Sequence, residues 1–325
     1  MEIYKTDNKN ELCGFINIHK EAGYTSHDVV AITRRVLRKL GLSKVKVGHT
    51  GTLDPDATGV LAICVGKATR LADYAGGGLK KYQAVLKLGI TTTTQDTSGE
   101  IISTSEKIPT REEILSILPK FIGEIDQLPP MYSAVKVNGQ KLYDAARKGQ
   151  EVERKPRKVT VYDIKVPNFI DDKTIELEIT CGRGTYVRTI CNDIGDLLGC
   201  GGTMDTLVRT MTGNFKIEDG VKLSELEEYA SVNNTISKYL IEVANSMDLP
   251  SITIKDDFVA PALNGNRIYL ENVIGGVPSD ITVGSNVFLY TESSVLLGMH
   301  QWDEVLGATF LKPVVMIATH ANIKG

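Results

Sequence analysis

Two hydrophobic periods alternate along the chain. Short runs that are wholly apolar, or that switch between apolar and polar at every residue, predict strands at Gly14–Ile18, Val60–Val65, Lys80–Leu88 and Lys173–Cys181. In KKYQAVLKL the residues Tyr82, Ala84, Leu86 and Leu88 share one face against Gln83, Val85 and Lys87. Ile175, Leu177, Ile179 and Cys181 alternate in the same way with Glu176, Glu178 and Thr180, so both strands have one wet face. The helical period appears first after Thr25 and Ser26, either of which can cap a helix. Val29, Ile32, Val36 and Leu40 fall on one side of it, Asp28 lies early, Arg38 and Lys39 late, and Gly41 stops it.

Thr110 and Glu113 form a capping box for a helix to Leu118, and Thr189–Leu198 fits another. Ser224 is expected to cap a short helix through Tyr229, with a further helix over Asn233–Ser246. GKATRLADYAGGG predicts a short helix ending in a mobile glycine cluster, and Thr91–Gly99 a polar turn. After Pro129 and Pro130 comes a hairpin turn at Asn138 and Gly139, then a short helix around Tyr143–Lys148. Past Pro250 the chain is rich in Val, Ile and Thr with repeated Gly and Asn, which predicts a small β domain. The expected division is therefore 1–248, with an inserted hairpin at about 129–158, and 249–325.

Composition narrows the class. With 325 residues, 42% hydrophobic and 24% charged, the chain is globular, and no apolar run reaches membrane-spanning length. The polar N-terminus, MEIYKTDNKNEL, lacks a secretory pattern, so a cytoplasmic protein is expected. Five cysteines form no C-x-x-C pair and five histidines show no ligand spacing, so neither disulfides nor a metal is expected. The net charge of −3 argues globally against a nucleic-acid partner, but the charge is uneven. Residues 19–88 carry twelve Lys or Arg against five Asp or Glu, residues 131–167 nine against four, and residues 218–257 three against nine. The basic stretches suit phosphates, with Tyr132 and Tyr143 in the second as stacking partners; plain solvated surface would look the same.

The chemistry concentrates in VGHTGTLDPDATG, residues 47–59, which brings two aspartates, an imidazole, three hydroxyls and three glycines into thirteen positions. Pro55 biases Asp54 towards an extended conformation and stiffens the loop that carries it. An Asp before Pro also starts turns or caps helices, so this loop alone leaves both readings open. Tyr82 stands at the entrance of its strand, after Lys80 and Lys81, and is by default a core residue. Arg188 follows the GRGTY turn, where it can hold an anion or make an ordinary ion pair.

Five stretches, GFINIHKEAGYTSHDVV, GHTGTLDPDATGVL, KKYQAVLKLG, PPMYSAVKVNGQKLYDAARKG and GTYVRTICNDIG, resemble in order the motifs of the TruB family of tRNA pseudouridine synthases, over about residues 14–215. Glu21 departs from that pattern, standing in a turn where the family usually has Pro. The resemblance implies an α/β (α+β) fold with a mixed, largely antiparallel sheet, a basic thumb-like hairpin and a C-terminal PUA-like RNA-binding domain. It implies isomerisation of the T-loop uridine, position 55 of tRNA, without a cofactor. Asp54 would be the covalent catalyst, acting either on the base or by elimination at the sugar, with Arg188 as its partner and Tyr82 stacking on uracil or serving as a base. Tyr186 and Leu207 would line the uridine pocket, His49 would wedge into the RNA, and Lys20, Thr50 and Gly51 would contact substrate. The partner is the tRNA T-arm, met by a monomer with no membrane association. A tRNA-binding chaperone without catalysis is the competing class; a glycosidase lacks paired carboxylates, and GKATR is not a phosphate loop.

Overall fold

In a computed structural model of the chain, which describes residues 12–133, 136–137, 140–141, 152–305 and 307–319, the strands form two main sheets. The larger contains nine: β1 (Gly14–Lys20), β2 (Val47–His49), β3 (Thr58–Val65), β4 (Lys80–Leu88), β5 (Gly123–Gln127), β6 (Arg157–Phe169), β7 (Thr174–Cys181), β8 (Gly202–Thr212) and β9 (Phe215–Lys216). Their order is β1-β3-β8-β4-β7-β6-β5, with β2 on β3 and β9 on β8. Every pair is antiparallel except β3 with β8. The mixed α/β, largely antiparallel architecture is thus the one observed. At the parallel join Arg209 lies opposite Gly59, whose φ is +102°, and a Cβ at Gly59 would collide with the Arg209 carbonyl oxygen. Only glycine lets the two backbones meet there.

Four helices pack on this sheet: α1 (Ser26–Lys39), α2 (Arg111–Ile117), α3 (Val187–Leu197) and α4 (Leu223–Asn233). Thr25 caps α1 and Thr110 caps α2, each through a reciprocal capping box; the sequence predicts the second box and offers either Thr25 or Ser26 as the first cap. α2 and α3 bury their apolar sides on β4, β6, β7 and β8. α1 and α4 cover Ile16 and Ile18 of β1 and Leu61, Ile63 and Val65 of β3. The opposite face of these two strands, Phe15, Val60, Ala62 and Cys64, packs on Phe288, Met299 and Val315 of the second sheet. β3 is therefore buried on both sides, which is why its sequence is continuously apolar.

The second sheet has six strands, the outermost in sequence being Ser251–Ile254 and Ala308–Met316. Within it His300 is completely buried, and neither ring nitrogen has a well-formed hydrogen bond. Burial pushes its pKa down to about 4. The folded state holds the neutral ring while the unfolded chain takes up a proton below about 6.5, so stability is full above that value and falls as pH drops towards 4. This group alone accounts for a loss of about 3 kcal/mol. His300→Leu is expected to flatten the melting temperature between pH 6.5 and 4 relative to the unsubstituted chain, as read by calorimetry.

Several expectations are corrected. α4 starts after Lys222 without a side-chain cap, so Ser224 lies inside it and caps nothing. The helix over Asn233–Ser246 does not form: Asn234 adopts a left-handed conformation (φ 52°) that ends α4, and only single 3-10 turns follow at Ser237–Tyr239 and Val243–Asn245. Ile241 instead exchanges two backbone hydrogen bonds with Phe15, pairing the segment with the edge of β1. GKATRLADYA is a 3-10 stretch followed by one α-helical turn, Ala72–Ala75. The first of its glycines, Gly76, lies against the backbone of Thr50, where a Cβ would collide, so it is packed rather than loose. The polar turn at Thr91–Gly99 begins in a two-stranded ribbon, Ile90–Thr92 with Ile101–Thr104. In the inserted hairpin, Lys136–Val137 pairs with Gln140–Lys141, around the predicted turn; the helix expected at Tyr143–Lys148 lies outside the described residues.

Candidate active site

Asp54 projects from the loop between β2 and β3 into a pocket of about 580 Å³. Three elements fix the backbone of that loop. Ser26, at the start of α1, donates its hydroxyl to Leu53 O (2.9 Å) and accepts from Leu53 N (2.8 Å). Lys20, at the end of β1, donates to Pro55 O (2.8 Å). Arg209 of β8, 1% exposed, donates to Gly51 O (3.1 Å), Thr52 O (3.2 Å) and Val60 O (2.8 Å). Carbonyl groups from Gly51 to Pro55 are thus held by two buried cations and a hydroxyl, which sets the direction of the Asp54 side chain.

The carboxylate meets Arg188, in the first turn of α3: Arg188 Nε lies 3.0 Å from Asp54 Oδ2. Arg188 is 4% exposed and its other two nitrogens are also engaged, Nη1 with Thr94 O (3.0 Å) and Asp96 Oδ2 (3.6 Å), Nη2 with Tyr132 O (2.9 Å). Asp96 is itself fixed by hydroxyl donors from Thr94 and Ser98. Gln127 of β5 brackets the residue before Arg188's helix, donating to Tyr186 O (3.0 Å) and accepting from Tyr186 N (2.8 Å). Burial raises the Asp54 pKa; Arg188 draws it back towards the charged form, and Asp96 opposes Arg188. The result is a carboxylate 38% exposed at its side chain, aimed at the pocket and held on its other side.

Eight of the nine residues expected at the site line this pocket: His49, Thr50, Gly51, Asp54, Tyr82, Tyr186, Arg188 and Leu207. Tyr82 is 7% exposed, and burial raises its pKa, so it is the neutral phenol. The same cause, with less burial, raises that of Tyr186. Burial and the Arg209 charge lower that of His49, leaving a neutral imidazole. Lys20 is not brought into the pocket. It is fully buried, and its ammonium donates to three carbonyls, those of Glu21, Tyr24 and Pro55; it anchors the loop from behind instead of facing a ligand. Burial pushes its pKa down to about 8.

Sequence reasoning missed Asp96, Gln127, Arg209 and Lys80. A cue existed for two of them: Lys80 and Arg209 occupy inward positions of alternating strands, where a charge needs a reason. Among the described residues no cluster of three or more His, Cys, Asp or Glu is arranged to hold a metal, and no helix is long and apolar enough to cross a membrane.

Residues 37–187 match the model of the TruB family pseudouridylate synthase N-terminal domain, and residues 188–250 that of the tRNA pseudouridylate synthase B C-terminal domain. The chain belongs to the TruB family. The tRNA pseudouridine synthase B of Clostridium kluyveri is 45% identical over 82% of this chain and 89% of its own length, and that of Alkaliphilus oremlandii 42% identical over 86% and 90%. Among solved structures, a Cbf5–Nop10–Gar1 complex aligns at 26% identity with a TM-score of 0.73, covering 96% of this chain and 87% of the other. The two TruB models meet between Val187 and Arg188, so the site takes Asp54 and Tyr82 from one and Arg188, Leu207 and Arg209 from the other. The second sheet lies beyond both matched TruB segments.

Proposed function

We propose that this TruB-family protein converts one T-loop uridine of tRNA to pseudouridine, with Asp54 as the carboxylate that acts on the nucleotide. The observation that carries this reading is the 3.0 Å pairing of Asp54 with a buried, fully engaged Arg188 at the floor of a pocket large enough for one nucleotide. The reaction breaks the bond from C1′ to N1 and rejoins C1′ to C5 of the same uracil, so it is an isomerisation. An ionised carboxylate serves either as nucleophile or as the group that starts elimination at the sugar. A uridine stacked in a folded loop cannot reach a carboxylate at the bottom of a pocket, so the base must be extruded.

In this reading Tyr82, neutral and buried, stacks on the extruded uracil and does not act as a phenolate base. Tyr186 and Leu207 close the pocket around the ring, and His49, neutral at the pocket edge, fills the place the base leaves. The basic hairpin after Pro130 closes on the T-arm, and the C-terminal sheet serves as a PUA-like RNA-binding module on a cytoplasmic monomer. A role in tRNA binding alone gives no purpose to the Asp54–Arg188 pair, which faces a pocket and not a surface.

Phosphate contacts made by many lysines and arginines release counterions, so the tRNA dissociation constant is expected to rise by about tenfold or more between 50 and 200 mM salt. Filter binding across that range checks it; a flat curve contradicts the RNA reading. The functional test incubates the protein with an unmodified tRNA transcript and maps pseudouridine at single-nucleotide resolution. One dominant site in the T loop is expected, and modification scattered over several arms, or none, refutes the proposal.

A further inference from the structure

Lys80 is the first residue of β4, whose residues 80, 82, 84, 86 and 88 all point inward. Lys80 and Tyr82 therefore lie side by side on one face, about 7 Å apart along the strand. Lys80 is 8% exposed and lines the same pocket as Asp54 and Arg188, and among the described residues its ammonium has no hydrogen bond or ion pair. Its ammonium rests against Gly51: a Cβ placed there would lie 3.5 Å from Lys80 Nζ and 3.9 Å from Arg209 Nη1.

The groups around it give it no counter-charge nearby. Arg209 faces it from β8, Cys181 from β7 and Arg183 from the turn after β7; Tyr82 adjoins on its own strand; and His49, Asp54 and Asp73 stand elsewhere around the pocket. Burial pushes the Cys181 thiol up to about 11, so it is neutral. Asp54 is engaged by Arg188 and Asp73 by Arg183 (2.7 Å). A cation held nine-tenths buried beside another cation is unfavourable unless the occupied site supplies a negative partner.

Which part of a nucleotide supplies it follows from depth. The flanking phosphates remain in the RNA backbone at the pocket mouth, where Arg157 and Arg183 are exposed. The uracil is the part that enters. If Asp54 acts at the sugar, the electron pair of the C1′–N1 bond passes to N1 and spreads onto O2 and O4. If Asp54 adds to C6, the pair of the C5–C6 double bond moves onto O4. Either way negative charge collects on a ring oxygen. On either route the bond from C1′ to N1 breaks and C1′ joins C5, Asp54 is released from C1′ or C6 (or, after elimination, returns the proton it took from the sugar), C5 loses its proton and N1 gains one, so no co-reactant is needed.

We infer that Lys80 is a further catalytic residue, whose ammonium donates a hydrogen bond to the uracil oxygen that becomes negative when the base is detached or attacked. The inference rests on the function proposed above. Arg188 and Arg209 are committed elsewhere, since every guanidinium nitrogen of each already holds a carboxylate or a backbone carbonyl, whereas the Lys80 ammonium holds neither. Lys80 must be protonated to act, and burial pushes its pKa down to about 8, so turnover falls above that pH.

The test compares the full-length protein with Lys80→Met and Lys80→Arg in single-turnover assays on a tRNA transcript from pH 6 to 9.5, with filter binding alongside. Lys80→Met is expected to lower the rate by about 10²–10³-fold, the cost of removing one donor to a developing oxyanion, with the Kd for tRNA within threefold. Lys80→Arg is expected to recover part of the rate and to lose the fall above pH 8. A Lys80→Met rate within threefold of the original overturns the inference, as does weakened binding at an unchanged rate, which marks a phosphate contact. If Lys80→Met does not fold, a Lys80→Arg profile that still falls above pH 8 overturns it. An unsubstituted protein that makes no pseudouridine overturns the parent reading, and the Lys80 role with it.

Discussion

Asp54→Asn is expected to reduce single-turnover formation of pseudouridine by about 10⁴-fold or more, the scale of removing a group that reacts with substrate. The amide keeps the size of the carboxylate and can still accept from Arg188 Nε, so the loop, pinned at Gly51, Thr52, Leu53 and Pro55 by groups other than Asp54, stays in place. The melting temperature and the Kd for tRNA should therefore change little, because most binding comes from phosphates far from the pocket floor. Rapid-quench kinetics and filter binding on the same preparation separate the two effects. A large loss of binding with a modest loss of rate would make Asp54 a structural residue.

Arg188→Met is expected to lower the rate by about 10²–10³-fold, comparable to deleting one group that positions or stabilises charge. It also moves the acid limb of the pH–rate profile upward. The sign follows from the groups around Asp54: burial and Asp96 raise its pKa and Arg188 lowers it. Without the guanidinium only the more distant Lys20 charge opposes the raising influences, so a higher pH is needed to ionise the carboxylate. Arg188→Lys recovers little, because one ammonium cannot span Asp54, Asp96, Thr94 O and Tyr132 O in the planar fork that now engages them. A profile whose acid limb does not move would show that Arg188 is not what keeps Asp54 charged.

The strands were legible because their periodicity records burial directly: β4 and β7 each have one apolar and one polar face, and β3, covered on both sides, has none. The capping box of Thr110 and Glu113 was legible because it is a local contact three residues apart. The failures arise where distant residues decide. Nothing within Asn233–Ser246 announces that Ile241 will pair with Phe15, more than two hundred residues earlier, in preference to helix. The residues that line the pocket were readable from their motifs, but the groups that hold them from behind were not. The resemblance implies that Lys20 contacts substrate, and only the fold brings Pro55 O to its ammonium. Arg209 is separated from Gly51 by more than 150 positions, and the carbonyls that neutralise it carry no side-chain signature. Buried cations that bind backbone oxygen leave no trace in sequence beyond a charge in an apolar register.

The most direct test of the central claim follows the hydrogen on C5 of the target uracil. Joining C1′ to C5 displaces it, so a tRNA transcript made with uridine tritiated at C5 releases tritium to solvent once for each uridine converted. One equivalent per tRNA from the unsubstituted protein, and none above background from Asp54→Asn at equal tRNA occupancy, is the predicted result. Full release by Asp54→Asn would contradict the account.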